Sequence, residues 1–195
     1  MHSLLRSALF VPLAFLVLVT CSPALRAAAP ALVDDFSNPA QTARGAGRLL
    51  FTDKDAGSQS AATQRCENGV LIVQGELKPG RGAPAFISIP LLLTTDAKPE
   101  DVSAYTGVRL RVKPTQGILT LQVSSADVDN FDYHSAPVVA KRGEFAEVRV
   151  AFADMKRAWS AQTALNLKQV TSVNFVAFGM APGAFAYEVD EIGFY

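Results

Sequence analysis

Val108-Arg109-Leu110-Arg111-Val112-Lys113-Pro114-Thr115-Gln116-Gly117-Ile118-Leu119-Thr120-Leu121-Gln122-Val123-Ser124 reads as two strands joined by a reversal. Val108, Leu110 and Val112 alternate with Arg109, Arg111 and Lys113; Leu119, Leu121 and Val123 alternate with Thr120, Gln122 and Ser124. A period of two puts the apolar set on one face of a pleated strand. Pro114 and Gly117 between the runs supply the fixed and the free φ that a reversal needs. Working outward, the same alternation returns in Val148, Val150 and Phe152, in Val173, Phe175 and Ala177, and in Phe185, Tyr187 and Val189. Residues 70–74 and 85–90 are similar, and Glu67-Asn68-Gly69, Lys78-Pro79-Gly80, Lys141-Arg142-Gly143 and Ala181-Pro182-Gly183 punctuate the chain. Helix is expected only as a short piece over residues 158–165 and a single turn over 165–170, neither long enough to cover a sheet. The expectation is an all-β fold, a β-sandwich or jelly roll of about eight to ten short strands.

The chain has 195 residues, 18 Lys plus Arg against 18 Asp plus Glu, and 49% hydrophobic residues. Zero formal charge without a basic tract argues against a nucleic-acid partner, because phosphate binding needs clustered cations. Residues 1–29 distort the totals. One cation precedes an uncharged apolar run over residues 8–20, and Ala27-Ala28-Ala29 offers small residues for signal peptidase. A signal peptide is therefore expected over residues 1–29, cut between 24 and 31, with one domain over 30–195. Pro12, Cys21, Ser22 and Pro23 interrupt the interval between Arg6 and Arg26, so no stable transmembrane segment is expected after cleavage. Leu18-Val19-Thr20-Cys21 resembles a lipoprotein box, which offers lipid anchoring at Cys21 as the alternative to simple export to the periplasm or medium. Without residues 1–29, 16 cations face 18 acids, a net charge of −2, and one His and one Cys remain.

Those two residues limit the chemistry. A Ser-His-Asp triad or a Cys-His dyad would rest wholly on His134, and a histidine-rich metal site has no material. No G-x-S-x-G, glycine-rich phosphate loop, H-E-x-x-H or C-x-x-C occurs, so neither catalysis nor a cofactor is expected. Cys66, just before a strand, is expected as a buried, inert thiol. The densest polar segment is Ser124-Ser125-Ala126-Asp127-Val128-Asp129-Asn130-Phe131-Asp132-Tyr133-His134-Ser135. Carboxylates and an amide beside rings suit sugar hydroxyls and C–H faces; a solvated loop with Phe131 and Tyr133 turned inward is the other reading. Arg109, Arg111, Thr120, Gln122 and Arg149 would share one sheet face if their strands are neighbours. Trp159 is either a partner anchor or a loop ring capping the core. The candidate ligand-binding residues are thus Arg109, Arg111, Gln122, Asp127, Asp129, Asp132, Tyr133, His134 and Trp159, with no metal ligands assigned. Asp190 stays open between a hydrogen-bonded structural role and a structural calcium.

Asp101-Val102-Ser103-Ala104-Tyr105-Thr106-Gly107-Val108-Arg109-Leu110-Arg111-Val112 resembles a run of the complex I intermediate-associated protein 30 family. Glu147-Val148-Arg149-Val150-Ala151-Phe152-Ala153-Asp154-Met155, then residues 165–175, then Phe185-Ala186-Tyr187-Glu188-Val189-Asp190-Glu191-Ile192 follow in the family's order, and Val33-Asp34-Asp35-Phe36 resembles its start. Ala151 and Asn166 depart from the usual proline and aspartate-led turn. The resemblance implies a galactose-binding-like jelly roll without catalytic machinery. It also implies one of two roles: a protein-interaction or assembly factor, with membrane respiratory complex subunits as partners, or a periplasmic carbohydrate-binding module. The first is expected here, with the 127–134 loop and a concave sheet face serving the second. Open rings beside polar groups at Phe131, Tyr133 and Trp159 would favour sugar; buried rings would favour protein.

Overall fold

A computed structural model describes residues 29–195. The expected leader and the Cys21 box lie outside them apart from Ala29, which is buried, donates from its amide to Asp101 O and accepts from the Tyr105 hydroxyl. The described chain forms β1 (Leu32–Asp34), β2 (Phe51–Thr52), β3 (Ala61–Glu67), β4 (Val70–Leu77), β5 (Ala85–Leu92) and β6 (Gly107–Gln116). It continues through β7 (Leu119–Ser125), β8 (His134–Pro137), β9 (Ala146–Ala151), β10 (Lys156–Arg157), β11 (Val170–Gly179) and β12 (Gly183–Phe194). This exceeds the expected number because β1, β2 and β10, of two or three residues, are too short to show a period.

Two antiparallel sheets face one another. The first runs β3-β4-β12-β6-β9 with β1 added against β12; the second runs β10-β8-β7-β11-β5-β2. Leu71, Val73, Leu110, Val112, Phe185 and Tyr187 from the first meet Ile87, Ile89, Leu121, Val123, Val173 and Phe175 from the second in one core. Burying each such side chain stabilises the fold by about 1.5–3 kcal/mol. Gly75 makes one close approach possible, since a Cβ there would lie 2.3 Å from Ala61 O and 2.8 Å from the Phe185 ring.

Two expectations are corrected. The β6–β7 reversal crosses between sheets: β6 pairs with β12 and β9, whereas β7 pairs with β11 and β8. Arg109, Arg111 and Arg149 therefore share a sheet that Thr120 and Gln122 do not. Residues 158–165 form no helix; a 3-10 turn at Phe152–Asp154 is followed by extended loop. Side chains compete for that loop's amides, with Arg157 N bonding Gln162 Oε1 and the Ala158 and Ser160 amides bonding Asp132. The alternation of β12 holds as expected through Phe185, Tyr187 and Val189 and breaks only beyond them. A bulge between Val189 and Glu191 sets two residues opposite one, so that both Asp190 and Glu191 face outward before Ile192 and Phe194 return to the core.

Candidate functional site

The outer face of the second sheet carries a cleft of about 520 Å3. Strand parity builds its floor. Ile87 and Ile89 point inward, so Phe86 and Ser88 point out; Phe175 and Ala177 point inward, so Val176 and Phe178 point out. Phe178 lies opposite Phe86, and Asn174 opposite Gln122, in the strand registers. Tyr133 and Trp159 close one side, ring edge to ring face with centroids 5.3 Å apart. Tyr133 lines the cleft beside Gln122, and burial lowers the acidity of its hydroxyl, so the phenol stays neutral and able to donate. Trp159 is 59% exposed and Phe131 is 92% exposed. Phe131 holds a φ of 61°, the left-handed region that a bulky residue adopts at a cost of about 1–3 kcal/mol. Its neighbours enforce this turn, because Asn130 Oδ1 accepts from the Asp132 amide across it.

Asp132 ties the two aromatic loops together. Its carboxylate accepts from Arg157 Nε at 2.8 Å and from the Ala158 and Ser160 amides at 3.0 Å, while Asn130 Nδ2 donates to Ser160 Oγ. Burial pushes the Asp132 carboxyl up, but the Arg157, Ser160 and Tyr133 donors outweigh it and hold the group well below the usual carboxylate range. Asp132 is a candidate ligand contact in the sequence; it instead lies buried and accepts from the amides of the residues on either side of Trp159.

The other candidates scatter. His134 turns into the sandwich, 1% exposed, with Nε2 bonded to Thr163 O at 2.8 Å, because its strand parity places it inward. Asp127 accepts from Asn166 Nδ2 at 3.2 Å and so ties its loop to the 165–169 turn. Burial pushes its carboxyl up, but the polar groups around it, the Asn166 amide among them, bring it below the ordinary value. Asp129 is exposed and does not line the cleft. Arg109 and Arg111 are on the opposite sheet, paired with Glu191 and Asp190 across the β12 bulge, while Lys113 pairs with Glu188. That face is a ladder of neutralised charge rather than a cationic groove, and Asp190 serves it as an ion-pair partner. Arg111→Ala is expected to cost less than about 1 kcal/mol in urea unfolding, since exposed pairs contribute little. Cys66 is half-buried and burial pushes its thiol up, against the pull of Arg48, which favours the unreactive form.

Gln122, Tyr133 and Trp159 are thus brought together, joined by Phe86, Ser88, Phe131, Val176 and Phe178. Phe86 and Phe178 carried a legible signal: a large ring at the outward parity of a strand whose inward set is already apolar. A larger hollow of about 580 Å3 lies against the 162–167 segment, but it is lined by Phe152, Met155, Leu165 and Leu167 with no open ring on which a ligand could stack.

Two antiparallel sheets packed face to face, with an open cleft on one outer face, define an all-β sandwich of the jelly-roll kind. Residues 35–189 match the model of the complex I intermediate-associated protein 30 family, and the chain belongs to that family. A search of the curated proteins finds no match. Among solved structures, the chain is similar to a family 11 carbohydrate-binding module from Clostridium thermocellum in complex with a β-1,3-1,4-mixed-linked tetrasaccharide. The TM-score is 0.58 at 12% identity, over 84% of this chain and 94% of that one. The family 11 module of a cellulosomal cellulase from the same organism gives 0.58 at 13% identity, over 86% and 95%. An exo-β-agarase gives 0.54 at 9% identity, over 85% of this chain and 25% of that one. At such identities the likeness is one of fold.

Proposed function

We propose that this protein is a non-catalytic carbohydrate-binding module acting outside the cytoplasm. The observation that carries the reading is the cleft itself: Trp159 and Phe131 stand open beside Tyr133, Gln122 and Ser88. Rings offer faces to sugar C–H groups, and a few fixed polar groups orient the hydroxyls. The exposure that was to discriminate between sugar and protein thus favours sugar, and the solved modules of like fold include one holding a tetrasaccharide. The leader expected over residues 1–29 supports placement in the periplasm or medium, where polysaccharide is met.

Family membership supports a second reading, an assembly contact with membrane respiratory subunits, because the family takes its name from association with complex I intermediates. Exposed Ile118 and Val139, beside the bond from Val138 N to Leu119 O, would offer an apolar contact for it. Native gels cast with soluble polysaccharides test the first reading: a glycan that binds retards the purified protein relative to a gel without it. Unchanged mobility in every polymer, with stoichiometric recovery of a respiratory subunit from envelope extract, would transfer the function to the second.

A further inference from the structure

We infer that the cleft takes an uncharged polysaccharide, with Asn174 reading one of its hydroxyls beside Gln122. The inference rests on the carbohydrate reading and narrows it to a substrate class. No side chain lining the cleft is ionisable at neutral pH: its polar groups are the Gln122 amide and the Ser88 and Tyr133 hydroxyls, and the rest are rings, alanine, valine and proline. The nearby carboxylate of Asp132 is buried and already matched by Arg157. Arg109 and Arg111, the cations proposed from the sequence for a ligand site, lie on the other sheet, each engaged by an acid. Recognising an anionic glycan would strip its charge of water with no cation to replace it, which is costly. Hydroxyls, by contrast, meet donors and acceptors of matching kind.

Asn174 carries the second observation. It is 7% exposed, its Nδ2 donates to Ser124 Oγ at 3.1 Å, and its Oδ1 has no partner. A buried acceptor without a donor is uncommon because it forfeits about 1–3 kcal/mol. Asn174 lies directly across the register from Gln122 and on the same outward parity, with Ser124 two residues along β7. The polar floor therefore continues past Gln122, just outside the residues that line the cleft; Asn174 Oδ1 is closed to solvent in the free protein, so a hydroxyl completes that amide only as the side chains over it give way. A site with a buried acceptor also discriminates against ligands that lack the matching donor.

Matched polymer pairs test this on the wild-type protein by gel retardation: hydroxyethyl cellulose against carboxymethyl cellulose, and agarose against κ-carrageenan, with mixed-linkage β-glucan as a further neutral probe. The expected result is retardation by at least one neutral polymer and none by its anionic counterpart. Asn174→Ala should weaken binding to that neutral polymer about fivefold, the worth of one hydrogen bond, with the cooperative thermal transition retained. Equal or stronger retardation by an anionic polymer overturns the uncharged class while leaving carbohydrate binding standing. Unchanged affinity of Asn174→Ala overturns its role. Mobility unaffected by any polymer removes the carbohydrate reading, and this inference with it.

Discussion

Trp159→Ala is expected to weaken binding to the neutral polysaccharide by about thirtyfold or more, equivalent to about 2 kcal/mol, while the protein stays folded. The ring is the larger of the two open rings at the cleft, and unlike Phe131 it is held: its edge-to-face contact with Tyr133 fixes its plane before any ligand arrives. A stacking residue held in place loses little side-chain entropy on binding, so most of the contact appears as affinity. Its removal uncovers no core, because the residue is 59% exposed; the thermal midpoint should move by no more than about 2 °C. Trp159→Phe should recover part of the affinity. As the sole tryptophan, Trp159 also reports directly: titration with a binding glycan should shift its emission to the blue. Undiminished retardation of Trp159→Ala, or emission unmoved by saturating glycan, would remove the cleft as the binding surface.

The alternation of Val108, Leu110 and Val112 with arginines, and of Leu119, Leu121 and Val123 with polar residues, was enough to specify a sandwich. Period two settles which face a residue takes within its strand but not which strand lies beside it. The β6–β7 reversal was therefore the place where sequence reasoning failed: the same pattern fits a hairpin in one sheet and a crossing between two. Arg109 and Gln122 were grouped on one face and lie on opposite ones. The site was half legible for a similar reason. The 124–135 composition marked the right loop, and Tyr133 and Trp159 are in the cleft. The polar groups that turn inward are matched by long-range partners, Arg157 for Asp132 and Thr163 for His134, and β8, whose parity turns His134 in, is too short for its period to be read from the sequence. Phe86 and Phe178, far apart in the chain, become neighbours only through the pairing of β5 with β11.

Those long-range partners give Asp132 its expected effect. Asp132→Ala removes one acceptor from three groups of the 157–160 segment at once, Arg157 Nε and the Ala158 and Ser160 amides, and leaves Arg157 largely covered without its counter-charge. The loss should be about 3 kcal/mol in urea unfolding, the lower end of the range for breaking a buried pair. Asp132→Asn keeps an acceptor oxygen but not the charge and should lose about 2 kcal/mol. The folded-state carboxyl titrates well below the usual value of about 3.9, so folding favours the ionised form. Its stabilisation is then fully present above about pH 5 and is lost as pH falls through the carboxylate range toward the folded-state value. The stability gap between wild type and Asp132→Asn should accordingly be widest at neutral pH and narrow at about pH 3. Binding should follow, because the residues that Asp132 grips flank Trp159. Asp132→Ala, measured at a denaturant-free temperature where it is folded, should show lower Trp159 fluorescence anisotropy and about tenfold weaker glycan binding, approaching the Trp159→Ala variant without reaching it. A folded Asp132→Ala with wild-type anisotropy and affinity would mean that the loop holds its shape without the carboxylate, and that Asp132 stabilises the sandwich but does not position the ring.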